Sequence, residues 1–324
     1  MTKKKVLVIQ PLHPDGMAVL EARDDIEIKV ITEYDEETLV REVADVHGMT
    51  VRVAKITRRV IEAAPNLEVV ARHGVGYDAV DQAALNERGI PLTVTPRANA
   101  VSVAEHAFAF MLALGNRFVA LDREMRTGNW MARSDHVAID LEDKNLLIIG
   151  FGRIGTRVAK RARAFDMKVH VYDPYVQANV IEAAGCVNVT DLSEALPDMD
   201  VVTLHCPKSE ETTNIISAAE LSAMKSSAML INCARGGLIN EEDLYRALSD
   251  GEIAEAGLDV FAVEPATADN PLFELDNVMV SPHTAGNSIE ALRRMGMDSA
   301  QCVLDAFDGK LTQDVVINTQ VLKA

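Results

Sequence analysis

Short apolar runs alternate with amphipathic segments along most of the chain. The apolar runs predict strands, and the segments with apolar residues three and four positions apart predict helices. The predicted strands are Val6–Ile9, Ile26–Ile31, Met49–Val51, Leu67–Ala71, Leu92–Thr95, Leu146–Ile149, Val169–Tyr172, Val201–Leu204, Met229–Cys233, Ile253–Leu258 and Val278–Val280. This alternation predicts parallel β-α-β units, and the later run of strands predicts one doubly wound sheet.

The predicted helices fill the intervals between these strands. They are Asp15–Arg23, Glu36–Val46, Thr57–Ala63, Ala79–Arg88, Asn99–Thr127, Arg157–Phe165, Val176–Ala184, Ala218–Met224, Glu241–Ser249 and Ser288–Phe307. The long pattern over 99–127 is rich in Ala, Phe, Met and Leu, which predicts a buried packing helix. A connector or a subunit contact is a further interpretation of the same stretch.

The stretch 145–155, N-L-L-I-I-G-F-G-R-I-G, predicts a strand, a tight turn and a helix start. We expect Gly150 to turn the chain, Gly152 to let the backbone approach a pyrophosphate, and Gly155 to let the helix pack closely on its strand. Asp173 follows 18 residues after Gly155. A carboxylate there is suited to both ribose hydroxyls and repels a 2′-phosphate, so the pattern predicts NAD rather than NADP.

Charge and cysteine content narrow the classes of function. The chain has 324 residues, enough for two domains, and its 49 acidic against 32 basic residues give a formal charge of −17. Such a surface repels nucleic acid and anionic membranes, and an anionic substrate needs its own arginines. The four cysteines show no metal-ligand spacing, and the apolar run after the N-terminus is too short for a signal peptide. We expect a soluble cytoplasmic protein without a metal.

Chemically active side chains follow three successive strands of the second half. Arg235 comes after Met229–Cys233, and His283 comes after Val278–Val280. Asp259 and Glu264 follow the strand between them. Because the carboxyl ends of parallel strands meet at one edge of a sheet, an arginine, a carboxylate and a histidine can converge there.

The segments I-N-C-A-R-G-G-L-I-N-E, G-L-D-V-F-A-V-E-P and S-P-H-T-A-G carry a family resemblance, together with V-A-R-H-G-V-G-Y-D-A-V-D, A-N-A-V-S-V-A-E-H and L-H-C-P. On these motifs the chain resembles the D-isomer-specific 2-hydroxyacid dehydrogenases over nearly its whole length. The resemblance implies an α/β fold of two Rossmann-like, doubly wound parallel-sheet domains. An NAD-binding domain at 99–286 would be inserted into a substrate domain made of 1–98 and 287–324, usually in a homodimer.

The resemblance also implies a catalytic role for each of three residues. Arg235 would hold the carboxylate of a small anionic 2-oxo acid and polarise its carbonyl, because a guanidinium fits a carboxylate with two hydrogen bonds. His283 would exchange a proton with the substrate oxygen, and Glu264 would orient the imidazole and raise its pKa.

Further contacts are implied by the same resemblance. Cofactor contacts are implied at Gly150, Gly152, Arg153, Ile154, Gly155, Asp173, His205, Cys206, Pro207, Cys233, Ala234, Asp259 and Gly286. The N–H groups of Val75 and Gly76 would hold the substrate carboxylate. Arg52 and Arg72 would bind a substrate phosphate, or Arg72 would assist the carboxylate while Arg52 pairs with an acid. His73 stands where many relatives carry a small residue.

The sequence leaves the identity of the substrate acid open. A short D-3-phosphoglycerate dehydrogenase of serine biosynthesis, without the regulatory domain that some relatives carry, is the first expectation. A hydroxypyruvate, glyoxylate or sulfopyruvate reductase is the second, and phosphite dehydrogenase keeps a similar triad. Formate dehydrogenases fit poorly, because they pair the histidine with Gln where this chain has Glu264. A rival of another class is an NAD(H)-sensing module like the C-terminal-binding corepressors.

Overall fold

The computed structural model describes residues 3–322, which form twelve β-strands and twelve α-helices. The strands are β1 Lys4–Ile9, β2 Ile26–Ile31, β3 Gly48–Val51, β4 Val69–Arg72, β5 Leu92–Thr93, β6 Asn145–Ile149, β7 Lys168–Tyr172, β8 Val187–Val189, β9 Val201–Leu204, β10 Met229–Asn232, β11 Glu255–Leu258 and β12 Val278–Val280. The helices are α1 Pro14–Glu21, α2 Glu36–Glu42, α3 Arg58–Glu62, α4 Gln82–Glu87, α5 Ala100–Gly115, α6 Phe118–Arg126, α7 Gly155–Ala164, α8 Ala178–Ala183, α9 Leu192–Ala195, α10 Ala218–Ala223, α11 Glu241–Ser249 and α12 Ile289–Phe307.

The chain divides into two compact units. Unit 1 comprises Met1–Asn99 with Asn287–Ala324, and unit 2 comprises Ala100–Gly286. The sheet of unit 1 has five parallel strands in the order β2-β1-β3-β4-β5. Helix α12 returns to this unit from the C-terminal part of the chain and packs on α1, β3 and β4.

The sheet of unit 2 has seven parallel strands in the order β12-β11-β10-β9-β6-β7-β8. The first strand of unit 2 is β6, in the interior of the sheet. Strands β7 and β8 are added on one side of β6, and β9 to β12 are then added on the other side. Ligands of such sheets bind at the carboxyl ends of the strands beside this reversal, here between β6 and β9. The predicted fold class, with two doubly wound parallel sheets, is confirmed.

The predicted single helix over 99–127 is wrong in one respect. The helix breaks at Asn116 and Arg117, and the backbone of Arg117 is left-handed with φ 57°. The guanidinium of Arg117 there pairs with Glu255 on β11. Helix α5 before the break is largely buried as predicted, whereas α6 after the break has no buried residue. Strand β8 and helix α9 were missed, because β8 is a three-residue edge strand with weak apolar character.

Helix α5 lies close to the sheet of unit 2 because the sheet makes room for it. A Cβ on Gly257 of β11 would lie 2.8 Å from Cγ of Phe110, so the ring rests directly on the strand backbone. Phe110 and His106 are one turn apart on the same face of α5, which places His106 near the carboxyl end of the sheet. Within residues 3–322, no helix is long and apolar enough to cross a membrane.

Candidate active site

The glycine turn after β6 is shaped by two close backbone contacts. Gly150 has φ 99°, and a Cβ at this position would lie 2.6 Å from the amide nitrogen of Cys206. A Cβ on Gly155 would lie 2.1 Å from the carbonyl oxygen of Gly150. At Gly152 nothing lies within 4 Å of the added atom. Two glycines are therefore required by packing, and the third leaves open space beside the turn.

The helix that follows this turn presents an uncapped N-terminus. Ile154 at the N-cap position of α7 makes no side-chain hydrogen bond to the helix, and the first turn carries no acidic residue. The amides of Thr156 and Arg157 donate to the carbonyls of Gly152 and Ile154, whereas within residues 3–322 those of 152–155 donate no hydrogen bond. These free N–H groups and the helix dipole favour an anion at this end. Arg153 beside them is exposed and adds positive charge. The open space and the free donors together fit a pyrophosphate.

Asp173 ties the end of β7 to the glycine turn. One carboxylate oxygen accepts a hydrogen bond from the Phe151 amide at 2.7 Å, and the other accepts one from the Tyr175 amide at 3.0 Å. Each oxygen keeps a second lone pair, so the half-exposed carboxylate retains acceptors for ribose hydroxyls. The residues at this turn therefore fit an adenine dinucleotide.

The predicted cofactor-binding side chains after β9 and β10 are mostly buried away from water. His205 bonds Thr203 through Nε2 at 3.0 Å, while its buried Nδ1 has no partner within residues 3–322. Burial lowers the pKa of His205 to about 3, so the imidazole is neutral. Burial raises the pKa of the Cys206 thiol to about 11 and that of Cys233 well above its usual range. Neither thiol is suited to nucleophilic chemistry.

The remaining predicted cofactor positions are less constrained by the structure. Pro207 is exposed, Ala234 is buried, and Gly286 is half-buried at the last position of unit 2. Their contact with NAD stays a prediction.

His283 and Glu264 form a close pair. His283 Nδ1 lies 2.7 Å from Glu264 Oε2, and Glu264 Oε1 accepts a hydrogen bond from the Phe261 amide at 3.0 Å. The bond to Glu264 raises the pKa of His283 above its ordinary value, although burial and Arg235 oppose it. Burial disfavours the charged form of Glu264, but the bonds from His283 and Phe261 leave its pKa lowered. The pair therefore favours a charged imidazole beside an ionised carboxylate.

Arg235 belongs to the same cluster. Its positive charge lowers the pKa of both His283 and Glu264, so the guanidinium lies near the pair. The Asn232 side chain donates to the Arg235 carbonyl at 2.9 Å, and the guanidinium donates to the Ala234 carbonyl at 2.7 Å. The three residues follow β10, β11 and β12, which are neighbours in the sheet. The structure thus brings the predicted catalytic residues together.

Asp259 has a role that sequence reasoning missed. Its fully buried carboxylate accepts hydrogen bonds from Ser281 Oγ at 2.5 Å and from the amides of Thr284 and Ala285 at 2.8 Å. Its carbonyl accepts the His283 amide at 2.8 Å. Asp259 therefore holds the loop that carries His283. Both Ser281 and Asp259 stand inside the quoted motifs, but spacing alone does not show which residues they bind.

In unit 1, the predicted substrate arginines bond to backbone carbonyls. Arg72 donates to the carbonyls of Gly76 at 2.6 Å, Val51 at 3.1 Å and Arg52, while Arg52 donates to Pro11 at 3.1 Å. Arg72 therefore braces the end of β3 against the turn after β4, which sequence reasoning did not foresee.

The turn at 73–76 has its own polar features. His73 is buried, and this burial, with the charge of Arg52, lowers its pKa to about 4. Gly74 has φ 139°, a conformation that favours glycine. Within residues 3–322, the N–H groups of Val75 and Gly76 donate no hydrogen bond. Two adjacent free donors suit a carboxylate.

Comparison with known proteins agrees with this geometry. Residues 108–285 match the family described as D-isomer specific 2-hydroxyacid dehydrogenase, NAD binding domain. The chain is 34% identical to a glyoxylate reductase of Thermofilum pendens, over 100% of this chain and 97% of that protein. The chain belongs to the D-isomer-specific 2-hydroxyacid dehydrogenases. As a member of that family it contains an NAD-binding domain, and the family prediction is confirmed.

Two further members of the family bear on function. A D-3-phosphoglycerate dehydrogenase of Methanocaldococcus jannaschii is 40% identical over 96% of this chain, but the chain spans only 59% of that protein's length. The crystal structure of an Aquifex aeolicus D-lactate dehydrogenase, complexed with NAD and lactic acid, superposes with a TM-score of 0.87 at 30% identity, covering 98% of this chain and 99% of that chain. Relatives that are named for different activities thus resemble this chain over nearly its whole length.

Proposed function

We propose that the chain is an NAD-dependent oxidoreductase that interconverts a D-2-hydroxy acid and its 2-oxo acid. One observation carries the proposal: the hydrogen-bonded pair of His283 and Glu264 stands beside Arg235 at the carboxyl ends of neighbouring strands. The same sheet carries the glycine turn, whose open space and uncapped helix fit a dinucleotide. Family membership supports the same class of reaction.

The hydrogen bond between His283 and Glu264 supports one route for the proton. Because Nδ1 of His283 faces Glu264, Nε2 is the nitrogen that protonates the oxo acid and accepts the proton in the reverse reaction. Glu264 stabilises the imidazolium, and Arg235 holds the substrate carboxylate in a two-point contact. NAD(H), when bound, supplies or accepts the hydride. We also assign the free N–H groups of Val75 and Gly76 to the substrate carboxylate.

Our first candidate for the substrate is D-3-phosphoglycerate, with a place in serine biosynthesis and in the cytoplasm as corollaries. The similarity to the Methanocaldococcus enzyme supports it. The phosphate would rest mainly on Arg52, because Arg52 donates one hydrogen bond to the backbone while Arg72 donates three. A dianionic phosphate needs such a charge in a protein of net charge −17.

The second candidate is an unphosphorylated acid such as glyoxylate or hydroxypyruvate. The bonds of Arg72 to backbone carbonyls favour it, because they leave this guanidinium less available for a phosphate. The similarity to the Thermofilum glyoxylate reductase over both full lengths supports it as well.

The test is NADH consumption with 3-phosphohydroxypyruvate, hydroxypyruvate, glyoxylate, pyruvate and sulfopyruvate. The first candidate predicts the highest kcat/KM for the phosphorylated acid. It also predicts that Arg52→Gln raises KM at least about tenfold for that acid alone, since a charge-assisted contact is lost. An equal effect of Arg52→Gln on glyoxylate would reject the phosphate role. If no acid is reduced while NADH binds, the enzyme proposal fails and an NAD(H)-sensing module replaces it.

We further propose a homodimer that buries the exposed apolar surface of 118–137. Phe118, Met125, Trp130, Met131 and Val137 all expose more than half of their area. A stretch of such residues is typical of a protein interface. Light scattering should give twice the chain mass, and Trp130→Glu should shift the equilibrium to monomer. A monomeric wild type at micromolar concentration would contradict the proposal.

A further inference from the structure

The loop at 281–285 holds its central residue in an unfavourable conformation. His283 has φ 52°, in the left-handed region that non-glycine residues rarely occupy. Such a conformation persists only where the surroundings fix it. The imidazole is also about half exposed, so packing around the ring does not fix it. The conformation of the loop must therefore be fixed through contacts of its backbone.

Asp259 makes most of the hydrogen bonds that fix the backbone of this loop. The amides of Thr284 and Ala285, directly after His283, donate to its carboxylate, and the His283 amide donates to its carbonyl. The Ser281 hydroxyl, two residues before His283, donates to Oδ1 of the same carboxylate at 2.5 Å. The carboxylate thus joins both sides of His283, and its own orientation sets the position of the imidazole.

His106 extends this arrangement to α5. Its Nε2 lies 2.9 Å from Ser281 Oγ and 3.8 Å from Asp259 Oδ1. The single hydroxyl proton of Ser281 is given to Asp259, so the hydroxyl oxygen must accept the second bond from His106 Nε2–H. Phe110 packs edge-on against the His106 ring, with centroids 4.7 Å apart, and fixes its plane. The result is a directed chain of hydrogen bonds from the helix to the loop.

We propose that His106 and Ser281 are positioning residues for His283, acting through the Asp259 carboxylate. For catalysis the proposal rests on the proposed function, because proton transfer by His283 is the step that benefits. Ser281 fixes the rotation of the carboxylate, and His106 fixes Ser281. Without these two residues the Asp259 carboxylate keeps its two amide partners but rotates more freely. The imidazole of His283 then also becomes less well positioned.

The first measurement follows the titration of His283 by NMR, in protein labelled at histidine and without substrate, with His283→Gln used for assignment. The charged groups facing His283 are Glu264, Asp259 and Arg235. We expect Ser281→Ala and His106→Leu to lower the pKa of His283, because the bond to Glu264 loosens when the loop moves. His106→Gln keeps a donor at the place of Nε2 and should restore the wild-type titration.

The second measurement is kcat with the 2-oxo acid that the wild-type protein reduces best. Ser281→Ala and His106→Leu should each lower kcat about tenfold, as expected for a displacement of less than 1 Å. The dissociation constant for NADH should stay within about twofold of the wild-type value. Reduction needs protonated His283, so the fall of the rate with rising pH should begin at lower pH in both variants. The double variant should be no slower than Ser281→Ala, because both changes break one chain.

Glu105→Gln is the matched control on the neighbouring position of α5. Glu105 is exposed and pairs with Arg161, away from the loop, so it should alter neither the titration nor kcat. The inference is overturned if the two single effects on kcat multiply in the double variant, or if the pKa of His283 is unchanged in Ser281→Ala. A wild type without activity on any acid would reject the proposed function, and the NMR titration alone would then decide the positioning role.

Discussion

The two units share a parallel-sheet architecture, but the turns after their first strands differ in chemistry. In unit 1, the His13 side chain accepts a hydrogen bond from the Asp15 amide at 3.2 Å and caps α1. A Cβ on Gly16 would lie only 2.6 Å from the backbone of Gly296 on α12. In unit 2, α7 has no side-chain cap and no acid in its first turn. One helix start is occupied by its own chain, and the other is open.

This difference gives a physical reason why the match to an NAD-binding domain falls in unit 2. The dipole of a helix is common to both starts, so it cannot decide between them. The difference lies in what satisfies the first N–H groups: in unit 1 the His13 side chain accepts the Asp15 amide, whereas the start of α7 in unit 2 has no side-chain cap and suits an anion. Substitutions at four positions of unit 2 and one position of unit 1 test this contrast, with expected effects that fall from about 10³-fold in kcat to about 1 kcal/mol in stability.

His283→Ala tests whether the chemistry belongs to the loops of unit 2. We expect kcat to fall about 10³-fold, because the general acid is lost, while NADH affinity stays nearly unchanged. Steady-state kinetics and NADH fluorescence titration measure the two quantities. His170→Ala, on strand β7 and outside the predicted site, is the control. Near-normal turnover in His283→Ala would remove this residue from the catalytic assignment.

Gly155→Ala closes the approach between helix and turn in unit 2. The new Cβ would lie 2.1 Å from the Gly150 carbonyl, so the turn must shift. Overpacking of about 1–3 kcal/mol corresponds to roughly 5- to 150-fold weaker NADH binding, if the strain falls on the bound turn. Gly251→Ala is the control, because it adds a side chain at φ 72° with nothing within 4 Å. Equal NADH affinities in the two variants would contradict the role of the turn.

Glu264→Gln removes the negative charge from the His283–Glu264 pair. The carboxylate raises the pKa of His283 by accepting its Nδ1–H, so its removal should lower that pKa. Reduction requires the protonated imidazole, which means that the rate should begin to fall at a lower pH than in the wild type. At neutral pH we expect kcat to drop about tenfold or more. An unchanged pH profile would show that Glu264 does not control His283.

Asp173→Ala tests cofactor choice at the open helix start. The loss of charge-assisted hydrogen bonds should weaken NADH binding about tenfold, while NADPH binding should improve relative to it. Asp173→Asn keeps an acceptor for the Phe151 amide and separates the effect on the turn from the effect on the ribose. A constant ratio of NADH to NADPH affinity in both variants would place the ribose elsewhere.

His13→Ala removes the cap in unit 1. We expect a loss of about 1 kcal/mol in the free energy of unfolding, the usual value for a helix N-cap, and a slightly lower melting temperature. NADH affinity should not change. Any gain of dinucleotide binding at this helix would show that the cap alone had excluded it.

Much of this contrast can be predicted from the sequence, because glycine spacing and strand exits are local properties. The glycine turn, Asp173 and the cluster of Arg235, Glu264 and His283 were identified by motif and by the carboxyl-end rule. The break at Arg117 was not, since the apolar pattern continues across it and the pairing with Glu255 is a tertiary contact. The bonds of Asp259 to the His283 loop and those of Arg72 to the backbone depend on three-dimensional proximity that spacing does not encode.

The most direct test of the account is hydrogen exchange of backbone amides with and without NADH. We expect slower exchange at 150–155 and 205–207 when NADH is bound, and unchanged exchange at 10–16 in unit 1. Protection at 10–16 with none at 150–155 would contradict it, because the dinucleotide would then bind the helix start that its own chain already caps.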